Sequence, residues 1–366
     1  MSLAGTRARS VYAQLLGAGL ALLAFAVVSA DALARPHVPP KGKMYHGVSD
    51  TGNTADFRDF RKQVGAHPAV LQEFFHWDVS FTASGAVNRW GGTDTLGMVA
   101  VSTKFPASGK PQIATKYIAR GNADRYLLRI NEVLGKLRQP TYIRLFPEMN
   151  GHWNPYCAFN ADGTPKGDNH SRGQFKRAWK RYAIIVRGGA RKGINKRLRR
   201  HNLPRIYRAK SNNDRIYKRK DVPRLLDRPK VAFLWVPQTS GSPNVPGNQP
   251  QNYWPGGNFV DWVGVDIFSA FEGAAFPAMT RFYRRWKRYP FMIGEYSPWD
   301  GDPGGAFTDR LLTWAERKSR VRMLVYYRSV SSQSIYYIDN YPDARRKLRS
   351  HLNKSIWRQW APGTRD

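Results

Sequence analysis

Short apolar runs alternate with amphipathic stretches along most of the chain. Met44–Val48 predicts a first strand. Thr54 then opens a helix in which Phe57, Phe60 and Val64 recur at i, i+3 and i+7. Ala69–Trp77 predicts a second strand and Gln112–Tyr117 a third. Asn122 caps an amphipathic helix with Tyr126, Leu127, Ile130, Val133, Leu134 and Leu137 along one face. Tyr142–Phe146 predicts a fourth strand, and Gln174–Arg187 a helix whose apolar side carries Phe175, Trp179, Tyr182 and Ile185. Val231–Val236, Val260–Phe268, Phe291–Glu295 and Arg322–Tyr327 predict strands five to eight, and a helix over Pro342–Leu352 closes the chain. Apolar strands separated by helices imply parallel pairing with right-handed crossovers. Eight of them in 366 residues predict a single-domain (β/α)8 TIM barrel. A doubly wound sheet is the alternative, but no Gly-rich phosphate fingerprint follows the first strand.

The N-terminus changes the picture of where this barrel works. Arg7 and Arg9 precede an apolar run from Val11 to Ala30, and Ala32-Leu33-Ala34 supplies a small-x-small cleavage site. This is the pattern of a signal peptide over 1–34, with the barrel over 35–366 and a secreted product. An uncleaved membrane anchor over residues 11–30 is the alternative. Cys157 is the single cysteine, so no intrachain disulfide forms, and a chain of this size can be stable on its core alone as a monomer.

Charge adds a second feature. There are 59 Lys and Arg against 26 Asp and Glu, a formal net charge of +33. Residues 191–220 hold 13 basic residues and one acid, Asp214, and so carry +12 of it. This basic insertion, about 191–229, falls between helix four and strand five and is expected at the end of the barrel away from the active-site mouth. It reads either as a solvated face or as a site for an anionic cell-wall polymer. Export argues against a nucleic-acid partner.

Candidate chemistry sits at strand ends. Glu148 follows the fourth strand in YIRLFPEMNGHW, and Glu295 ends the seventh in FMIGEYS. Side chains at the C-terminal ends of barrel strands point into the mouth, so both carboxylates belong on one face. Two facing carboxylates are the working parts of a glycosidase, one protonated to give a proton to the leaving oxygen and one ionised to attack the anomeric carbon. The alternative is that each pairs with a barrel arginine such as Arg144. Sugar faces stack on aromatic rings, which nominates Trp77, Trp153, Trp235, Trp299 and Tyr326 as substrate contacts. Asp78, Asn150 and Asp266 are candidates for sugar hydroxyls. No HExxH or comparable spacing suggests a metal, and the loop 160–170 lacks the spacing of a calcium loop. No metal or organic cofactor is expected.

RLFPEMNGHW resembles the acid/base motif of family-26 glycoside hydrolases, a group of retaining enzymes that includes β-mannanases. WPGGNFVDWVGVDIF resembles that family's sixth-strand segment and FMIGEYS its nucleophile segment. The resemblance implies a (β/α)8 barrel with Glu148 as acid/base and Glu295 as nucleophile, acting on a β-mannan or related β-glycan. Two positions depart from the pattern. Pro147 stands where the family usually has His, and Phe268 stands where a Tyr usually hydrogen-bonds the nucleophile. The alternatives to a working glycanase are a catalytically impaired glycan-binding barrel and a polyanion-binding protein acting through the insertion.

Overall fold

The computed structural model describes residues 37–49, 53–77, 86–103, 113–206, 222–329 and 331–364. The signal-peptide and anchor readings of the first 34 residues, Asp78, and residues 207–221 of the insertion lie outside the described residues.

Eight parallel strands close on themselves. These are β1 (Met44–Ser49), β2 (Val70–Phe75), β3 (Leu96–Val101), β4 (Thr141–Leu145), β5 (Val231–Trp235), β6 (Trp262–Phe268), β7 (Phe291–Ser297) and β8 (Val321–Tyr327). They pair in sequence order, and β8 pairs back with β1 through Tyr45–Met323 to Ser49–Tyr327. The helices between them are α1 (Thr54–Val64), α2 (Ala86–Gly92), α3 (Thr115–Arg120), α4 (Asp124–Leu137), α5 (Arg172–Val186), α6 (Arg191–Arg200), α7 (Glu272–Arg285), α8 (Ala306–Glu316) and α9 (Pro342–Leu352). The connection from β5 to β6 is made by short 3-10 turns instead of an α-helix. The architecture is a (β/α)8 barrel, as the strand count implied.

Local chemistry explains the helix ends. Asn53, not Thr54, caps α1: its side chain accepts from the backbone N–H groups of Ala55 and Asp56 at 2.8 and 3.2 Å, and Asp56 accepts from the Asn53 N–H at 2.7 Å. Asn122 lies just outside α4, whose start has no side-chain cap. The apolar faces read from the sequence are buried except at half-buried Leu137, with Phe175, Trp179, Tyr182 and Ile185 of α5 wholly inside.

The third strand corrects the sequence reading. The segment chosen for it, Gln112–Tyr117, runs into α3, and the strand is Leu96–Val101. Gly97 hides it, because a glycine inside a short apolar run reads as a break. The glycine is required: a Cβ there would lie 2.4 Å from the ring of Trp90 on α2, which packs flush on the strand.

Two apolar layers result. Outward residues of the strands pack against the helices. Inward ones, including Tyr45, Met98, Tyr142, Leu234, Trp262, Met292 and Met323, fill the barrel interior. One step further along the same inward rows the filling turns polar, at Gln72, Arg144 and Asp266. That change marks the floor of the mouth.

Candidate active site

Glu148 sits on a strained turn. Phe146 and Glu148 both have φ of 49°, a left-handed conformation that costs about 1–2 kcal/mol for a residue with a Cβ. The surroundings hold it. The Glu148 N–H donates to the Val236 carbonyl at 2.9 Å, continuing the β4–β5 ladder. Asn154 Nδ2 donates to the Glu148 carbonyl at 2.9 Å, and the Tyr156 hydroxyl donates to the Pro147 carbonyl at 2.7 Å. The side chain is thereby aimed into the mouth. There Trp153 Nε1 donates to Oε2 at 3.2 Å and Gln238 Nε2 to Oε1 at 3.3 Å. Trp153 can fold back onto Glu148 because Gly151 has no Cβ; one would lie 2.5 Å from the indole.

Glu295 is aimed by a different device. Between Ile293 and Tyr296, β7 carries one residue more than either neighbouring strand. Such a bulge bends a strand and re-aims a side chain. Ile293 and Tyr296 both face the helices, which leaves Gly294 and Glu295 on the inside. Arg144 Nη1 donates to Glu295 Oε1, and Arg144 Nη2 donates to Asp266 Oδ2. Gln72 Nε2 also approaches Glu295 Oε1, at 3.5 Å. Gly294 makes room for the pair, since a Cβ there would meet Asp266 Oδ1 at 2.6 Å.

The electrostatics of the two glutamates differ accordingly. Burial pushes the Glu148 carboxyl above its ordinary range, and the nearby Glu295 pushes it the same way, while Arg144 and the hydrogen bonds from Gln238 and Trp153 oppose. Burial works against the charge of Arg144, but Asp266, Glu295 and Glu148 outweigh it and keep the guanidinium protonated. Glu295 therefore lies against a fixed positive charge. Burial, then Glu295 and Glu148, push the Tyr327 hydroxyl up to about 12.

Both carboxylates line one cleft of about 640 Å³. One wall is aromatic: Phe268, Trp299, Tyr327 and Tyr336 meet with ring centroids 4.8–6.0 Å apart, edge-to-face except for the tilted pair Phe268 and Tyr336. Phe271 extends it at the rim, 5.3 Å from Trp299 and 56% exposed. Residues 238–242 and Trp153 also line the cleft. Among the described residues, no group of three His, Cys, Asp or Glu is placed to hold a metal ion.

Of the residues nominated from sequence, the structure brings Glu148, Glu295, Trp153, Asp266 and Trp299 together in this cleft. It does not bring Trp77, Asn150, Trp235 or Tyr326 there. Trp77 is buried among Tyr126, Phe146 and Tyr182, and Trp235 among Trp254, Phe282 and Trp286, both on the helix side of the barrel wall. Tyr326 points outward too, accepting from Ser297 Oγ at 3.2 Å; its neighbour Tyr327 is the cleft residue. Alternation of side chains along β8 makes this a one-residue error with a two-faced consequence. Asn150 is buried and structural. Its Nδ2 donates to the carbonyls of Gln238 and Ser240 at 3.1 and 3.0 Å, and its Oδ1 accepts from the Gln238 N–H at 2.9 Å. It thus locks the loop that presents Gln238 to Glu148. Gln72, Gln238, Phe271 and Tyr336 were not foreseen. Gln72 had a signal, as a polar residue at an inward position of an apolar strand; the other three lie in loops or turns with no period to read.

No protein-family model matches the sequence, and no curated protein matches it. Solved structures do. A mannanase from Bacillus subtilis is 13% identical over 87% of this chain and 87% of that one, with a TM-score of 0.54. A modular endo-β-1,4-mannanase of glycoside hydrolase family 26 from Cellulomonas fimi is 11% identical over 87% of this chain and 72% of that one, with a TM-score of 0.54. A family-26 β-mannanase from Bacteroides ovatus is 13% identical over 87% and 90%, with a TM-score of 0.51. At these identities the likeness establishes the fold alone, a (β/α)8 barrel.

Proposed function

We propose that this chain, with the barrel of family-26 glycoside hydrolases, is an exported retaining β-glycanase acting on a β-mannan or related β-linked polysaccharide. The observation that carries the reading is the pair Glu148 and Glu295, from β4 and β7, on one aromatic-walled cleft in unlike electrostatic surroundings. Glu148, with its proton retained by burial and by a charged neighbour, is the general acid toward the glycosidic oxygen. Glu295, against Arg144, is the nucleophile at the anomeric carbon. A glycosyl-enzyme forms as the first product leaves. Glu148, now ionised, takes a proton from water, and that water attacks the anomeric carbon and releases Glu295. Trp299, Tyr327 and Trp153 offer faces for the sugar rings.

The test is reducing-end release from soluble β-mannan and other β-1,4-glycans, with the anomeric configuration of the first product read by NMR. Wild type is expected to give retained configuration, and Glu148→Gln to lower kcat by about 10²–10⁴-fold. Glu295→Gln is expected to abolish turnover. Inverted product, or equal activity in wild type and both variants, refutes the assignment. The reading of a glycan-binding barrel without turnover is favoured by one feature: Phe268 offers Glu295 no hydroxyl, and Arg144 occupies its Oε1. Equal glycan affinity in wild type and both variants, with no sugar released by any, supports that reading instead.

A further inference from the structure

A second surface lies away from the cleft. α6 reads RKGINKRLRR, with six basic residues in ten and no acid. Its core face is Ile194, Asn195 and Leu198. Lys192, Lys196, Arg199 and Arg200 are exposed, at i, i+4, i+7 and i+8, so they form a row about one helical turn, 5.4 Å, apart. α5 lies alongside: Arg177 Nη2 donates to the Asn202 carbonyl, just past the end of α6, at 2.7 Å. Lys176, Arg177 and Lys180, half-buried, add three more cations on this neighbouring helix. Among the described residues, no ion pair involves any of these seven.

This arrangement works against the helix that carries it. Like charges at i, i+4 repel, and basic residues in the first turn oppose the helix dipole. Burial lowers the pKa of Lys180, with Lys176 and Arg177 adding to it, and burial lowers that of His201, with Lys180 and Arg200 adding to it. A solvated face would be better served by mixed signs. α9 shows that alternative on the same protein, where Arg345, Arg346 and Lys347 pair with Asp339, Asp343 and Asp309.

We propose that the outer face of α6, with Lys176, Arg177 and Lys180 of α5, docks a linear acidic polysaccharide bearing a carboxylate on its repeating unit. A row of cations one turn apart suits a stiff chain with regularly spaced negative charge better than a single compact anion. The exposed large hydrophobic side chains among the described residues are Tyr117, Trp153, Leu225, Phe271 and Ile335, and none lies on α5 or α6. Among the described residues, α5 and α6 thus offer no apolar wedge for a membrane and no exposed ring on which a base could stack, and Leu225, paired with Ala190 at the start of α6, is the one exposed large apolar side chain beside them. None of the seven residues lines the cleft, so docking and hydrolysis are separable, and the surface stands whether or not Glu148 and Glu295 cleave.

The test uses the full chain and polygalacturonate. Wild type is expected to bind it, and to weaken as salt rises from about 50 to about 200 mM. The variant Lys192→Gln, Lys196→Gln, Arg199→Gln, Arg200→Gln is expected to bind about tenfold more weakly or worse. A control removing the same charge from α9, by Gln at Arg345, Arg346, Lys347 and Arg349, is expected to lose less than about twofold, because three of those cations already have partners. Unchanged binding by the α6 variant overturns the proposal. Equal losses in the two variants overturn it as well, by reducing the effect to net charge. Tighter α6-dependent binding of duplex DNA or of phosphatidylglycerol vesicles overturns the assignment to an acidic glycan. Should the variant not fold, acetylation footprinting of wild type decides: polygalacturonate is expected to protect Lys192 and Lys196, and equal labelling with and without it refutes docking there.

Discussion

Replacing Arg144 by Met tests the logic of the barrel mouth. The guanidinium is wholly buried and donates to two carboxylates, Asp266 and Glu295, whose side chains are 2% and 12% exposed. Met fills similar volume, so the loss is mainly electrostatic. It leaves two buried carboxylates facing each other with no cation. Breaking a buried pair by removing one partner costs about 3–5 kcal/mol. That is a large part of the roughly 5–15 kcal/mol that holds a domain together, and at about 2–4 °C per kcal/mol it lowers Tm by roughly 10 °C. The sign of the pH dependence follows from Asp266. Burial already pushes its carboxyl well above the usual range, and Arg144 is the main group pulling it back. Without Arg144 its folded pKa rises further above the unfolded value near 3.9. A carboxylate with a raised folded pKa destabilises the native state above the unfolded pKa and costs nothing once both states are protonated. The deficit of Arg144→Met is therefore greatest at pH 7 and shrinks as the pH falls toward about 4. Asp266→Asn in the same chain is expected to restore part of it. Urea unfolding followed by tryptophan fluorescence at pH 7, 6 and 5 measures this. A deficit under about 1 kcal/mol at pH 7, or an equal deficit at pH 5 and pH 7, refutes the account.

Two further predictions concern side-chain hydrogen bonds. Trp153→Phe removes the donor to Glu148 Oε2, a contact that favours the ionised form. The Glu148 pKa should rise, carrying the alkaline limb of kcat/KM upward by up to about one pH unit, the worth of one such bond; a limb that stays or moves down contradicts the geometry. His351 joins α9 to α8, its Nδ1 2.7 Å from Glu316 Oε1 and its Nε2 2.9 Å from Asp309 Oδ1. The bond to His351 is the first cause holding Asp309 below its usual range; at Glu316, bonds from Lys354, His351 and Trp357 outweigh burial. Depressed carboxylate pKa values contribute stability that is present above the unfolded pKa, about 4, and is lost as pH falls through the folded value. His351→Ala should thus cost about 1–2 kcal/mol at pH 7, solvent screening at half-exposed Asp309 included. Its stability should also decline less than that of wild type below pH 4; parallel acid limbs in the two proteins count against the latch.

The barrel was legible because its signals are local. Apolar runs of strand length, helices with a 3.6-residue stripe and their strict alternation survive in one dimension, and they determined the fold class. They also singled out Glu148 and Glu295, since a carboxylate ending an apolar run stands out without any knowledge of its partner. What the sequence could not decide was which way side chains turn. Tyr326 and Tyr327 are equivalent on paper, and only strand register sends one to the helices and the other to the cleft. Trp77 and Trp235 sit beside strand ends as Trp153 and Trp299 do, yet the first two bury against helices that arrive from elsewhere in the chain. The extra residue in β7 is visible only against its neighbours' registers, and it is what turns Glu295 inward. Gly97 concealed a strand because its reason, the ring of Trp90, is supplied by a different element. Periodicity is a property of a segment, and the sequence carries it whole. Facing is a property of pairs of segments, and it exists only once long-range packing has chosen the register.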